Sequence, residues 1–286
     1  MQDSRRSIVI TGAASGIGFS VCELLLQNGF KVIGVGHSKE NCEVAYKRLM
    51  DKFPNADIIF LYGDMIQQQE VIRIAKDIKK YLHENSSDEL FALINNAGCV
   101  RSWHMTSNEG YEQQFALNHL AGFLLTHELF PNLILGKGRI LFTSSGSHKM
   151  MKMRWKDLMF ERGYHPLLAY KQSKLCNMLT AYTLNERYRN KGIAAYGVDP
   201  GLVNTNIGNK NTGWIVNLVW SLRKKHGVDS TEAAKTYLLL CTGEIPPQEL
   251  YFGFLKAQKY SKQVNKENAD RLFLLSEKLC NIMYSG

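Results

Sequence analysis

Cysteine is scarce in this sequence and never closely paired. Six cysteines are spread over 286 residues without a C-x-x-C pair: Cys22, Cys42, Cys99, Cys176, Cys241 and Cys280. This spacing excludes the usual zinc-ribbon arrangement and the dense disulfide framework of small secreted domains. We therefore predict free thiols, a reducing compartment and no metal site.

Long hydrophobic runs and internal repeats are also missing. The first apolar run, from Ile8 to Ile10, stops at a glycine turn, which does not fit a signal peptide. No stretch approaches the roughly 18 uncharged apolar residues that a membrane span requires. We expect one cytoplasmic domain over residues 1–286.

Acidic residues are in the minority. There are 26 of them against 35 lysines and arginines, which gives a net charge of +9. The basic residues are scattered, with modest concentrations at 223–225 and 256–266. Because no arginine-rich segment with interleaved aromatics is present, we expect no nucleic-acid partner. A basic surface of this kind favours phosphorylated small molecules.

Apolar runs alternate with helical patterns along the chain. Short β-rich runs occupy 7–11, 31–35, 57–62, 90–94, 139–143, 193–198 and 250–254. Helical patterns cover 18–28, 69–83, 110–135 and 169–191, and Gly29, Gly136 and Gly192 stand where helices should end. Continuous apolar runs are typical of strands buried on both faces. The alternation therefore predicts a parallel sheet with helices on both sides.

A glycine-rich turn follows the first predicted strand, in SIVITGAASGIG at residues 7–18. Gly12, Gly16 and Gly18 would let the backbone approach a pyrophosphate closely, and the following helix would offer it unpaired N–H groups. Parallel sheets bind ligands beyond the carboxyl ends of their strands, where this turn lies. The turn predicts a dinucleotide site.

Further motifs follow in order, each at the end of a predicted element. They are NNAG at 95–98, Asn118 in FALNHL, ILFTSSGSH at 140–148, Y-x-x-x-K at 170–174 and DPGLVNT at 199–205. With T-G-x-x-x-G-I-G at 11–18, they make the chain resemble the short-chain dehydrogenase/reductases. The long interval from Ser145 to Tyr170 and the segments 169–184, 230–241 and 268–279 resemble the retinol-dehydrogenase-like branch.

The resemblance implies a fold and an activity. The fold is α/β: a single doubly wound Rossmann-type domain, with a seven-stranded parallel sheet flanked by helices. The cofactor-binding half would span about 1–136, the catalytic half about 137–286, and a small substrate lid about 202–228. The activity is hydride transfer between a nicotinamide cofactor and an alcohol or carbonyl. A cofactor-sensing scaffold with little turnover is the alternative.

Four residues carry the predicted chemistry. Tyr170 and Lys174 are spaced i, i+4, so a helix presents both on one face. A free phenol is a poor base at neutral pH, and a neighbouring ammonium favours its phenolate form. By resemblance, Tyr170 exchanges the proton with the substrate, Ser145 rather than Ser144 binds the substrate oxygen, and Asn118 anchors a relay water. Alternatively, Asn118 bonds its own backbone.

The resemblance also implies which residues bind the cofactor. Asp64 would read the adenine amino group, although a helix N-cap is the alternative. Asn95 would secure the strands, while Asn96 lies nearer the cofactor. The remaining predicted contacts are Gly12, Ser15, Gly16, Ile17, Gly18, Met65, Ala97, Gly98, Tyr170, Lys174, Pro200, Gly201, Val203 and Thr205.

The end of the second predicted strand bears on cofactor choice. An NAD enzyme usually has a carboxylate there to bind the ribose 2′-hydroxyl. This sequence has His37, Ser38 and Lys39 instead, and Glu40 comes too late. These three residues could hold a 2′-phosphate, so NADP(H) is the preferred prediction, and NAD(H) remains open.

The substrate region is rich in methionine. Met150, Met151, Met153, Met159 and Trp155 lie between the predicted catalytic serine and tyrosine. Flexible methionines suit a small lipophilic carbonyl or alcohol, with core filling as the alternative. An apolar helical stripe at 213–225 predicts the lid, and peripheral membrane contact is the alternative there. By resemblance, 110–135 and 169–191 would pair subunits in a homodimer or homotetramer.

Overall fold

The computed structural model describes residues 6–203, 229–243 and 246–284. The predictions for Thr205 and for the lid beyond Val203 lie outside these residues. The strands are β1 (Ser7–Thr11), β2 (Lys31–Gly36), β3 (Ile58–Tyr62), β4 (Ala92–Asn95), β5 (Arg139–Thr143), β6 (Ala194–Asp199), β7 (Tyr251–Gly253) and β8 (Lys256–Ala257).

All strands join one sheet in the order β3-β2-β1-β4-β5-β6-β7-β8. Neighbours from β3 to β7 are parallel, with registers such as Ile8 opposite Val32 and Ala92. Every residue of β1, β2 and β5 is buried. The predicted doubly wound α/β sheet is therefore confirmed.

The predicted strand count of seven is one too low for the described residues, where the sheet has eight strands. The added strand, β8, pairs antiparallel with β7 through Phe252–Ala257 and Gly253–Lys256. Phe254 and Leu255 join the two strands with φ values of 51° and 61°. Two consecutive residues with positive φ make a tight hairpin turn, so the chain reverses where the prediction continued the strand.

The helices connect these strands. They are α1 (Gly16–Gln27), α2 (Lys39–Lys52), α3 (Gln68–Asn85), α4 (Gln113–Phe115), α5 (Ala121–Glu128), α6 (Phe130–Leu135), α7 (Pro166–Tyr188), α8 (Ser230–Thr242) and α9 (Lys266–Cys280). Within this set of described helices, none is long and apolar enough to cross a membrane. All six cysteines are free thiols, as predicted.

The single helix predicted at 110–135 is divided. Glu112 begins α4 by accepting hydrogen bonds from the N–H groups of Gln114 and Phe115. A π-helix, Ala116–Leu120, then leads into α5. Pro131 stands in the first turn of α6, where its missing N–H and its ring are tolerated. The same proline would clash with the carbonyl four residues earlier if the helix continued, so the helix restarts after Leu129.

Two cores cover the two faces of the sheet. Alternate strand residues point to opposite faces, so Val9 belongs to one core and Ile8 to the other. The first core packs α3, α5, α6, α7 and α9 on the sheet, and the second packs α1, α2 and α8. Both cores leave the carboxyl ends of the strands open.

The C-terminal segment covers the central helices. Helix α9 packs along α7, and Tyr284 is buried against Phe123, Phe130, Tyr188 and Phe273. The Tyr284 hydroxyl donates to the Phe123 carbonyl at 2.9 Å. The C-terminal segment therefore covers part of the surface of the central helices α5 and α7.

Candidate active site

A cleft of about 680 Å³ opens at the carboxyl ends of β1, β2, β3 and β4. The chain passes from β1 to β2 on one side and from β3 across to β4 on the other, so the strand order reverses at this point. Ten predicted cofactor residues line the cleft: Gly12, Ser15, Gly16, Ile17, His37, Asp64, Met65, Asn96, Ala97 and Gly98.

The glycine turn leaves bare backbone on the floor of the cleft. Gly12 and Gly16 have φ values of 69° and 55°, which side chains rarely adopt. A Cβ on Gly18 would lie 2.1 Å from the Gly12 carbonyl oxygen, so Gly18 is required for close packing. Within the described part of the chain, no side chain caps α1, whose N-cap residue is Ser15. The first-turn N–H groups therefore suit an anion such as a pyrophosphate.

Thr11 ties the glycine turn to the NNAG segment. Its hydroxyl accepts from the N–H groups of Asn96 and Ala97, both at 3.0 Å. The Asn96 side chain donates to the Thr11 carbonyl at 3.0 Å. Asn95 points away from the cleft and donates to Thr126 at 3.1 Å. Asn96 therefore lines the cleft, whereas the side chain of Asn95 bonds to helix α5 and not to an adjoining strand.

The end of β2 carries the residues that we assigned to cofactor choice. His37 lines the cleft, and its Nδ1 lies 3.8 Å from Asp64 Oδ1. Ser38 is instead the N-cap of α2, where its hydroxyl accepts from Asn41 N at 3.4 Å. Lys39 is exposed and lies 3.8 Å from Glu43. Asn41, which is not among the predicted contacts, also lines the cleft.

Asp64 is not the N-cap of the helix that follows it. That position belongs to Gln67. Asp64 Oδ1 accepts from Ile66 N at 3.2 Å, which closes a local turn. The carboxylate is partly exposed at the cleft, so it remains available to a ligand.

Helix α7 carries Tyr170 and Lys174, as predicted. Lys174 is buried, its Nζ donates to the Thr143 carbonyl at 3.0 Å, and it lies 5.5 Å from the centre of the Tyr170 ring. Burial disfavours the ammonium and lowers the pKa of Lys174 to about 8. Tyr170 is half-buried.

Asn118 lies in the π-helix, a distortion that is frequent at functional sites. Its amide donates to the Cys99 carbonyl and to Ser173 Oγ, each at 3.0 Å, and its Oδ1 accepts from Cys99 N at 2.7 Å. A Cβ on Gly98 would lie 3.1 Å from Asn118 Oδ1 and 3.6 Å from Lys174 Nζ. The two side chains therefore converge behind Gly98, and the alternative of bonding to its own helix does not describe Asn118.

The two adjacent serines differ in burial. Ser144 is buried and donates to the Lys174 carbonyl at 3.0 Å. Ser145 is half-buried after β5, and its hydroxyl accepts from Ser147 N at 3.3 Å. The hydroxyl proton of Ser145 is therefore the part that can be donated to a ligand.

The turn after β6 is set by Asp199. One carboxylate oxygen accepts from Gly201 N at 2.9 Å, and the other accepts from the Tyr251 hydroxyl at 2.8 Å. Gly201 has a φ of 75° and packs beside Phe254.

Other predicted contacts do not line the cleft itself: Gly18, Ser38, Lys39, Tyr170, Lys174, Pro200, Gly201 and Val203.

The far wall of the cleft is not among the predicted cofactor contacts. Cys99, Val100 and Arg101 line it, and their position directly after NNAG was the available signal. Burial raises the pKa of the Cys99 thiol to about 12. The Tyr164 hydroxyl lies 3.0 Å from the Arg101 carbonyl and 3.2 Å from Glu112 Oε1. No local motif predicts the contact between Tyr164 and Arg101.

Some methionines between Ser145 and Tyr170 fill the core, and others remain exposed or partly exposed. Met151 and Met153 are buried in the first core, which is core filling. Met150 is 67 % exposed, and Met159 is partly buried against the core. Trp155 also packs at the edge of the first core, beneath the Arg271 guanidinium at 4.3 Å.

The fold and the cleft together define a Rossmann-type dinucleotide-binding enzyme. The cradle of Gly12 and Gly18, which side chains would fill, and the uncapped start of α1 fit a pyrophosphate. The family model for short chain dehydrogenases matches residues 6–215. The chain belongs to the short-chain dehydrogenase family, and it is a retinol-dehydrogenase-like member. It is an NAD(P)-dependent oxidoreductase acting on CH–OH or C=O groups.

Individual relatives agree with this assignment. Mouse retinol dehydrogenase 12 is 30% identical over 281 residues, covering 97% of this chain and 87% of the relative. An uncharacterised protein from Mycobacterium paratuberculosis has the same fold, with a TM-score of 0.76 and 24% identity over 100% of this chain and 97% of that one. A short-chain dehydrogenase from Sphingobium yanoikuyae in complex with NADPH has a TM-score of 0.66 and 21% identity, covering 87% of each chain.

Proposed function

We propose that this enzyme uses NADPH to reduce a lipophilic aldehyde or ketone. The observation that carries the proposal is the convergence of Lys174 and Asn118 behind Gly98, on the wall of the dinucleotide cleft. A buried ammonium beside the ring of Tyr170 is the arrangement that stabilises a phenolate.

The chain's own residues then have distinct roles. The Ser145 hydroxyl donates to the substrate oxygen and stabilises the negative charge that develops there. Tyr170 delivers a proton to that oxygen, and the Lys174 ammonium stabilises the phenolate left behind. Asn118 holds the Cys99 backbone against the lysine and anchors the relay water. The nicotinamide, when bound, supplies the hydride.

Three features support NADPH over NADH. The end of β2 presents His37, Ser38 and Lys39, where an NAD enzyme usually carries an acid. The exposed Lys39 ammonium and the cleft-lining Asn41 lie in the first turn of α2. A 2′-phosphate there would meet donors and positive charge. The NADPH complex of the Sphingobium enzyme adds a parallel from the same fold.

The name of the mouse relative supports a lipophilic substrate, since retinol is a lipophilic alcohol. The partly buried Tyr164, whose hydroxyl lies 3.0 Å from the Arg101 carbonyl, provides apolar ring surface near the far wall of the cleft. We therefore take retinal as the first carbonyl to test.

The test is the Tyr170→Phe variant, assayed for NADPH oxidation with retinal and a panel of shorter aldehydes and ketones. Loss of the proton donor should reduce kcat by about 10²–10⁴-fold, with little change in NADPH affinity. Tyr182→Phe, on the same helix, is the matched control and should behave as wild type. Undiminished turnover by Tyr170→Phe would refute the proposal, as would a wild-type preference for NADH over NADPH for its cofactor part.

A further inference from the structure

A buried histidine links the predicted catalytic serine to a second part of the site. His148 lies three residues after Ser145, in the 3-10 turn Gly146–Met150, and its side chain is fully buried. Its Nδ1 lies 2.6 Å from the Ser145 carbonyl oxygen, and its Nε2 lies 3.3 Å from Ser261 N. The proposed mechanism leaves this residue without a role.

The two contacts define the tautomer of His148. A carbonyl oxygen only accepts, so the proton must be on Nδ1, which donates to Ser145. The Ser261 N–H donates, so Nε2 must be unprotonated and accept from it. The neutral ring thus satisfies both partners, and burial lowers the pKa of His148 in the same sense.

The ring also contacts the strand that holds the turn after β6. His148 packs edge-on against Tyr251, with ring centres 4.9 Å apart. The Tyr251 hydroxyl donates to Asp199, whose other carboxylate oxygen accepts from Gly201 N. One set of contacts therefore runs from Ser145 through His148, Tyr251 and Asp199 to Gly201.

We propose that His148 is a positioning residue, which holds the Ser145 hydroxyl in register with the turn at Gly201. The inference rests on the proposed function, in which Ser145 binds the substrate oxygen, and on the predicted cofactor contact at Gly201. The Ser145 carbonyl accepts from His148 Nδ1 and also from the His148 backbone N–H at 3.0 Å, so loss of the ring donor would leave it one hydrogen bond and let the serine backbone shift. A misplacement of about 1 Å at a reacting group can slow the chemical step about 10²-fold.

Three variants of the full chain separate the contacts of His148. His148→Asn keeps a donor near the Nδ1 position for the Ser145 carbonyl. His148→Gln keeps an acceptor near the Nε2 position for Ser261 N–H. His148→Phe keeps the ring against Tyr251 and loses both hydrogen bonds.

The expected pattern is a change in kcat alone. His148→Phe and His148→Gln should lose about 10- to 100-fold in kcat, while His148→Asn should stay within about fivefold of wild type. The dissociation constant of NADPH, measured by fluorescence titration, should stay within about twofold in all three. Equal kcat for His148→Asn and His148→Gln would overturn the inference, as would wild-type kcat in His148→Phe. If His148→Phe does not fold, the comparison of Asn with Gln decides.

Hydrogen–deuterium exchange measures the same linkage without turnover. Peptides covering 145–150 and 199–203 should exchange faster in His148→Gln than in His148→Asn. Unchanged exchange in both peptides would refute the positioning role. Failure of the wild-type enzyme to reduce any carbonyl would refute only the proposed function, so the two failures are distinguishable.

Discussion

Replacing Lys174 with methionine should stabilise the cofactor-free protein while removing its activity. The Lys174 side chain is 3 % exposed, and burial lowers its pKa from an ordinary 10.5 to about 8. Its Nζ donates to the Thr143 carbonyl, which also accepts from Asn177 at 3.0 Å. The carbonyl therefore keeps a donor when the lysine is replaced, and methionine fills a similar volume with an uncharged chain.

The pKa of Lys174 gives the size and sign of the effect. The unfolded chain binds this proton more tightly than the folded protein, so the charge lowers stability below pH 8 and the loss vanishes as the pH rises toward 10.5. The difference between the two values corresponds to about 3 kcal/mol. The hydrogen bond from the ammonium contributes about 1 kcal/mol in the opposite direction, which leaves a net gain of about 2 kcal/mol for the variant near neutral pH.

Urea unfolding of the cofactor-free proteins measures this gain. Wild type, Lys174→Met and the half-buried control Lys171→Met would be compared at about pH 7 and about pH 9.5. Lys174→Met should exceed wild type by about 2 kcal/mol at the lower pH, and most of that difference should disappear at the higher one. Turnover should be lost at both. A variant less stable than wild type at neutral pH, or a difference independent of pH, would refute the reasoning.

Two further predictions concern packing. Gly18→Ala places a Cβ 2.1 Å from the Gly12 carbonyl oxygen. The free energy of unfolding should therefore fall by about 3 kcal/mol, and NADPH binding should weaken at least about tenfold. The control is Gly29→Ala, because Gly29 has a φ of 78° and open space where a Cβ would lie. This variant should lower the free energy of unfolding by only about 1–2 kcal/mol and leave NADPH affinity unchanged. Equal effects of the two substitutions would contradict the steric argument. Tyr284→Ala should lower the free energy of unfolding in urea by about 3–5 kcal/mol. Tyr284→Phe loses only the hydrogen bond to Phe123 and should lower it by about 1 kcal/mol. Comparable losses would show that burial of the ring is not the main contribution.

The sequence predicted most of the sheet because its strands are short, apolar and bounded by glycine turns. The bounds of all seven predicted strands lie within two residues of those of β1 to β7, and β1 and β5 match at both ends. The motif residues Gly12, Asn96 and Gly98 meet at one cleft because each directly follows a parallel strand. Tyr170 and Lys174 lie on one face of α7 because they are spaced i, i+4, so their proximity could be predicted once the segment was recognised as a helix.

Features that depend on contacts distant in sequence could not be predicted in the same way. The Asn118 side chain, which bonds Cys99 and Ser173, and the contact of Tyr164 with Arg101 join segments separated by many residues. Hairpin β7–β8 depends on positive φ at Phe254 and Leu255, two residues that rarely signal a turn. Hydrophobic periodicity carries no information about these long-range contacts or about the hairpin turn.

The cover formed by α9 and Tyr284 has a consequence for biosynthesis. Helix α7, which bears Tyr170 and Lys174, packs along a segment that is translated about eighty residues later. A nascent chain that has just completed α7 therefore exposes an apolar flank, which stays open to chaperones or to aggregation until the last turns emerge. Mutations in this late segment should thus lower the yield of folded enzyme more than the activity of each folded molecule.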